Sequence, residues 1–187
     1  MAALSRHERQ ALLDLARHSI QNYLATGARE CPAHDHPVFD EKRGVFVTLH
    51  RDGELRGCIG YPLPYRTLWQ AVIDNAIAAA TEDPRFPAVT LAELPGLAIE
   101  ISVLTVPQRV SAHERVQLGR DGIIVSQGGQ RGLLLPQVPL EQGWDLEQFI
   151  SYGCRKAGLP ADEWKRGVQI ETFQAEVFSE NRQREKA

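Results

Sequence analysis

Hydrophobic and polar positions alternate along this chain with two periods, and the switches between them mark its elements. Leu12, Leu15, Ala16, Ile20, Tyr23 and Leu24 recur at helical spacing. Ser5-x-x-Glu8 ahead of them has the form of a capping box, and Gly27 follows as a stop. A helix is expected over residues 5–26. Residues 28–44 carry Pro32, Pro37, two histidines and several charges, which suits a loop or an edge segment. Gly44–His50 is rich in strand formers, Asp52-Gly53 is a hairpin turn signal, and Leu55–Ile59 reads as the returning strand. Residues 67–81 place Leu68, Val72, Ala76 and Ala79 on one helical face, and the alanines there suit close packing on a sheet.

Asp83-Pro-Arg-Phe-Pro87 ends that helix. Leu97–Leu104 alternates strictly: Ile99, Ile101 and Val103 on one face, Glu100 and Ser102 on the other. Gly122–Ser126, a Gly128-Gly129 turn and Arg131–Leu135 form the clearest hairpin. A helix is expected over Trp144–Lys156, ending near Gly158, and a last strand over Val168–Phe178. The alternation of that strand slips between Ile170 and Phe173, as at a bulge. Hairpins mixed with three helices point to an α+β fold, with an antiparallel or mixed sheet and flanking helices. Parallel βαβ winding is the alternative. The first and last elements are expected to pack together as a larger lobe, with the middle of the chain as a smaller inserted one.

Composition narrows the class without touching chemistry. The 187 residues, 43% hydrophobic and 24% charged, suffice for a core without disulfides and exclude a disordered or low-complexity chain. The net charge of -3 with no basic stripe argues against nucleic acid as a partner. The first residues lack a basic region followed by an apolar run, and no apolar stretch is long enough to span a bilayer. Cys31, Cys58 and Cys154 are an odd number without a C-x-x-C, which suits reduced thiols. Together these favour a cytoplasmic protein without a membrane partner.

Candidate chemistry gathers in a few short segments. Leu55-Arg-Gly-Cys-Ile-Gly60 puts Arg56 on the strand face of Cys58 if the strand is regular, where a cation would favour a thiolate. In the alternative reading Cys58 is a small buried hydrophobe and Arg56 a structural ion-pair residue. Asp83 and Arg85 lie at a helix end, where Arg85 could clamp a carboxylate or phosphate, or else pair with Asp83 to fix the turn. Glu100 sits in an aliphatic strand and calls for a cation such as Arg56 or Arg85, unless its face is open to solvent. Gln137, Glu141 and Trp144 occupy a stiff, proline-flanked loop that suits either binding or a plug at the end of the core. Cys31-x-x-His34-x-His36 has metal-ligand residue types but no fourth ligand nearby, so a polar surface loop is favoured over a metal site. No Walker loop, dinucleotide fingerprint, G-x-S-x-G elbow or iron–sulfur spacing occurs, and no cofactor is indicated.

The order of these motifs resembles the AMMECR-domain family, called AmmeMemoRadiSam system protein A in bacteria and archaea. The landmarks are Phe46-Val-Thr-Leu49, Leu55-Arg-Gly-Cys-Ile-Gly60, Asn75-Ala-Ile-Ala-Ala-Ala80, Asp83-Pro-Arg-Phe86 and Ile99-Glu-Ile-Ser-Val-Leu104. Arg131-Gly-Leu-Leu-Leu-Pro-Gln-Val138, Gly143-Trp-Asp145, Lys156-Ala-Gly-Leu159 and Phe173-x-Ala-x-Val-Phe178 complete the set. The resemblance covers about residues 8–178 and implies one domain over 1–187 with a two-lobed organisation. It is weakest over residues 28–40, where Cys31, His34 and His36 lie. It raises the site candidacy of Arg56, Cys58, Asp83, Arg85, Glu100, Gln137 and Glu141. It also implies association with a Memo-like protein and a radical SAM protein, whose cluster cysteines this chain lacks.

Two functions follow as expectations. One is an accessory module that binds a partner or a small anionic ligand, with Arg56 and Arg85 as anchors oriented by Glu100 and Glu141. The other is an enzyme using Cys58 as nucleophile or thiol donor on a small anionic or protein substrate. Glu100 or Asp83 would then move the proton.

Overall fold

The structure, a computed structural model, describes residues 3–180. The described residues form two compact units: residues 3–104 with 176–180, and Thr105–Ala175.

In the first unit, α1 (Arg6–Thr26) begins at the Ser5–Glu8 capping box and ends at Gly27 in the left-handed conformation. Strands β1 (Gly44–Arg51) and β2 (Glu54–Tyr61) form a hairpin through Asp52 and Gly53, both at positive φ. Thr67 caps α2 (Leu68–Thr81), and β3 (Leu97–Leu104) pairs antiparallel with β1. With β8 (Ala175–Ser179) the sheet order is β2-β1-β3-β8. Val45, Val47, Leu49, Ile99, Ile101 and Val103 join the apolar faces of α1 and α2 in one core. Gly57 brings α2 onto β2: a Cβ there would stand 2.2 Å from the Ala79 carbonyl oxygen. Trp69 ties the 28–36 segment down through Nε1, which donates to the Pro32 carbonyl.

In the second unit, β4 (Gln108–Arg109), β5 (Gly122–Gln127), β6 (Gln130–Leu134) and β7 (Gln169–Phe173) form a sheet in the order β4-β7-β5-β6, with antiparallel pairs. A short helix, α3 (Val138–Gln142), precedes α4 (Leu146–Lys156). Phe149, Ile150 and Cys154 of α4 bury Ile123, Val125 and Ile170 of the sheet.

The α+β architecture matches expectation, with the antiparallel alternative realised. Two elements differ. The expected helix at Trp144 starts only at Leu146, because Asp145 caps it reciprocally with Gln148. The left-handed Gly143 closes the separate turn before it. The expected last strand is two strands in two sheets. The slip between Ile170 and Phe173 is therefore not a bulge: the chain breaks at Gln174, whose carbonyl accepts from the Thr105 N–H and whose own N–H donates to the Thr105 hydroxyl. Among the described residues, no helix is long and apolar enough to cross a membrane.

Candidate functional site

The Leu55–Gly60 segment is not a regular strand. Leu49 pairs with Gly57 whereas His50 pairs with Leu55, so Arg56 is the extra residue of a β-bulge. A bulge re-aims the side chain that it carries. Arg56 is thus not the simple same-face neighbour of Cys58 that a regular strand would make it. Its guanidinium instead forks onto Glu93, with Nε at 2.6 Å from Oε1 and Nη2 at 3.1 Å from Oε2. Both side chains are 13% exposed, and Arg51 adds a contact of 3.3 Å to the same carboxylate. The Arg56 fork is the main cause holding Glu93 below the usual carboxylate range.

Beyond the bulge, Cys58 has its backbone turned outward, since β2 is the edge of its sheet. The Asp83-Pro-Arg-Phe86 turn covers it. Asp83 Oδ2 accepts from the Cys58 N–H at 2.9 Å, and Arg85 Nη2 approaches the Cys58 carbonyl at 3.4 Å. Two side chains thereby stand where a neighbouring strand would pair. Asp83 also accepts from the Arg85 N–H at 3.1 Å, Nε at 2.9 Å and Nη2 at 2.7 Å. Its side chain is only 3% exposed. The Arg85 bonds are the main cause of its pKa falling far below the usual range, helped by the two backbone donors and opposed by burial. A carboxylate so occupied anchors the turn and is a poor proton acceptor, which counts against the catalytic role considered for Asp83.

Arg85 differs from Arg56 in exposure. Its Nε and Nη2 are held by Asp83, yet the side chain is 53% exposed. Among the described residues Nη1 has no hydrogen-bond partner. Both guanidinium carbons lie near the Phe86 ring, Arg56 at 6.0 Å and Arg85 at 5.5 Å from its centroid. Two cations therefore flank one aromatic ring, each oriented by its own carboxylate.

Cys58 continues into a row across three strands. Thr48 is the cross-strand partner of both Cys58 and Glu100. The three side chains lie on the sheet face opposite the core and are half-buried. The Thr48 hydroxyl donates to the Cys58 sulfur at 3.2 Å. The expectation that Glu100 pairs with Arg56 or Arg85 is not met, because those cations are committed to Glu93 and Asp83. Among the described residues Glu100 makes no ion pair. Gly60, on the same face, leaves room for the Phe46 ring, which a Cβ would meet at 2.3 Å.

Gln137, Glu141 and Trp144 belong to the second unit. Gln137 precedes α3, and Glu141 lies within it; both are exposed. Trp144 stacks on Tyr152 with centroids 4.0 Å apart and planes at 8°. Glu141 thus belongs to a different unit from Arg56 and Arg85, and no contact within its own unit ties it to the orienting role expected of it.

The structure does not gather Cys31, His34 and His36 into one ligand group. Among the described residues, no group of three or more His, Cys, Asp and Glu side chains is placed to hold an ion. Aromatic packing takes the imidazoles instead: His34 lies 4.8 Å from Trp69 and His36 lies 4.8 Å from Phe39. Cys31 is exposed, and the Cys154 thiol is buried, which raises its pKa.

Glu93 is the participant that residue-level reading misses. It sits in an irregular Ala-Glu-Leu-Pro stretch with no periodic signal, and its partner Arg56 is 37 positions away. Thr48 is likewise visible only through strand register.

Comparison with known proteins gives this architecture a family. The AMMECR1 family model matches residues 13–178. Protein MJ0810 of Methanocaldococcus jannaschii is 46% identical over 96% of this chain and 94% of its own length. Protein PYRAB00100 of Pyrococcus abyssi is 45% identical over 96% and 94%. The crystal structure of the uncharacterized protein PH0010 from Pyrococcus horikoshii superposes with a TM-score of 0.78 at 46% identity, covering 91% of this chain and 90% of that one. The chain belongs to the AMMECR1 family.

Proposed function

We propose that this protein is an accessory, binding component of a modification system that includes a Memo-like protein and a radical SAM protein. Its first unit would recognise a small anionic group, free or carried by a partner chain. The observation that carries this reading is the half-exposed Arg85 guanidinium, clamped through one edge by Asp83 and free at Nη1. A guanidinium fixed in place loses little rotamer freedom on binding, and its planar donors suit carboxylate or phosphate. Arg56 lies near the same Phe86 ring, but Glu93 already occupies its fork, so Arg85 is the anchor. Titration calorimetry with the Memo-like and radical SAM proteins of the same organism tests this. The wild-type chain is expected to bind one of them and Arg85→Gln to bind at least tenfold more weakly while remaining folded. Equal binding by both chains would overturn the anchor.

The second reading is an enzyme with Cys58 as nucleophile or thiol donor. The contact that favours it is the Thr48 hydroxyl on the Cys58 sulfur. Glu100, across from Thr48, is the proton acceptor within this row. Alkylation of Cys58 followed against pH separates the two readings. A thiol unreactive up to about pH 9 removes the enzyme, since an ordinary cysteine titrates near 8.5.

A further inference from the structure

The two sheets end in edges that are treated differently. At β2 the outward N–H and C=O of Cys58 are covered by Asp83 and Arg85. At β6, the edge of the second sheet, the hairpin closes on Gln127 and Gln130 through Gly128 and Gly129, both at positive φ. A two-residue turn of this kind makes the flanking pair a mutually hydrogen-bonded one, and such pairs alternate along the ladder. The Gln127–Gln130, Val125–Gly132 and Ile123–Leu134 pairs are therefore bonded inward. Arg131 and Leu133 point their backbone N–H and C=O groups away from β5. Among the described residues, no hydrogen bond reaches these four groups. An uncovered edge is a template for another strand.

We infer that the β6 edge receives an extended peptide segment of a partner protein, which adds a strand through the backbone groups of Arg131 and Leu133. Main-chain bonds of this kind supply affinity, and alternate side chains supply specificity. Arg131 is 43% exposed and uses Nη2 for Glu171 at 2.6 Å, with its other nitrogens free of partners among the described residues. An open cleft of about 380 Å³, lined in part by Ser126, Arg131, Gln169 and Glu171, lies beside it. Ser126 faces Arg131 on one side and Gln169 on the other, so the cleft floor is polar. Leu133, two residues on, is half-buried. The incoming strand thus carries an acidic side chain opposite Arg131 and an apolar one opposite Leu133. A second copy of this chain offers Arg131 no acidic partner in any of the three antiparallel registers. Pairing of two β6 strands centred on Gly132 sets Arg131 against Leu133, pairing centred on Arg131 sets two like charges together, and pairing centred on Leu133 sets Arg131 against Leu135, whose carbonyl already accepts from the Val138 N–H.

The probe is a synthetic acetylated seven-residue peptide that alternates threonine and valine around one central glutamate, with valine two positions to either side of the glutamate. Its binding to the full chain is followed by calorimetry and by amide hydrogen exchange. The Arg131 and Leu133 amides are expected to exchange fast in the free protein and at least tenfold more slowly with the peptide bound. A peptide N-methylated at the pairing positions is expected to bind at least tenfold more weakly, a result that needs no variant to fold. Arg131→Glu is expected to reverse the preference from a central glutamate to a central lysine. Unchanged exchange at millimolar peptide, equal binding of the N-methylated peptide, or self-association through this edge would each overturn the inference. None of these readouts depends on Arg85, so this edge and the anchor of the first unit stand or fall separately.

Discussion

Asp83→Asn isolates what the carboxylate does at the β2 edge. Asp83 accepts four hydrogen bonds: from the Cys58 N–H at 2.9 Å and from Arg85 at 3.1, 2.9 and 2.7 Å. Two fall on each oxygen. An asparagine amide group placed at either oxygen turns its own donors toward two other donors. At Oδ2 it faces the Cys58 N–H; at Oδ1 it faces the Arg85 N–H. The Arg85 side chain is 53% exposed and can be rehydrated, whereas a backbone N–H held against an amide nitrogen cannot. An orphaned buried N–H costs about 1–3 kcal/mol, and lost charge assistance adds to it, so about 2–4 kcal/mol is expected in all. For a chain of this size that corresponds to about 4–16 °C in Tm. Circular-dichroism melts at neutral pH read it directly. The pH dependence supplies a second check. Asp83 has its pKa depressed in the folded chain, so its contribution is complete above the unfolded value of about 4 and is lost as pH falls toward the folded one. The stability gap between wild type and variant therefore narrows on acidification below about pH 4. A variant melting within about 1 °C of wild type, with a gap that does not change with pH, would refute this assignment.

Three further outcomes follow from the same geometry. Gly57→Ala forces a Cβ toward the Ala79 carbonyl at 2.2 Å and should destabilise by about 1–3 kcal/mol in a denaturant melt, because backbone must shift. Glu93→Gln removes the charge under Arg56 and should lower stability by about 1–3 kcal/mol; a melt equal to wild type would show the fork to be dispensable. Iodoacetamide mapping by mass spectrometry should label exposed Cys31 first, half-buried Cys58 next and buried Cys154 last, and only after unfolding.

The fold was largely legible because its devices are local. The Ser5–Glu8 box, the Asp52-Gly53 and Gly128-Gly129 turns and the alternation of Leu97–Leu104 each act within a few residues. The break at Gln174 was not legible, since it depends on Thr105, 69 positions away. The same divide runs through the site. Asp83 and Arg85 are two residues apart, and their pairing could be weighed from the turn alone. The Arg56 bulge is a matter of register, and Glu93 reaches it only through the fold. Expecting Glu100 to take one of those arginines failed because two other carboxylates, Asp83 and Glu93, stand closer in space. The close approaches that the glycines of Leu55–Gly60 permit were likewise not legible, since the neighbours come from elsewhere in the chain. Those neighbours are the Ala79 carbonyl at Gly57 and the Phe46 ring at Gly60.

Native mass spectrometry of tagged wild-type and Arg85→Gln chains, each isolated from the protein's own cells, tests the binding role most directly. The wild-type spectrum is expected to show a fraction carrying the Memo-like protein, the radical SAM protein or a small anion, and the Arg85→Gln spectrum to lack it at equal folded yield. Identical bound masses in the two spectra, or none in either, would contradict an anchoring function for Arg85.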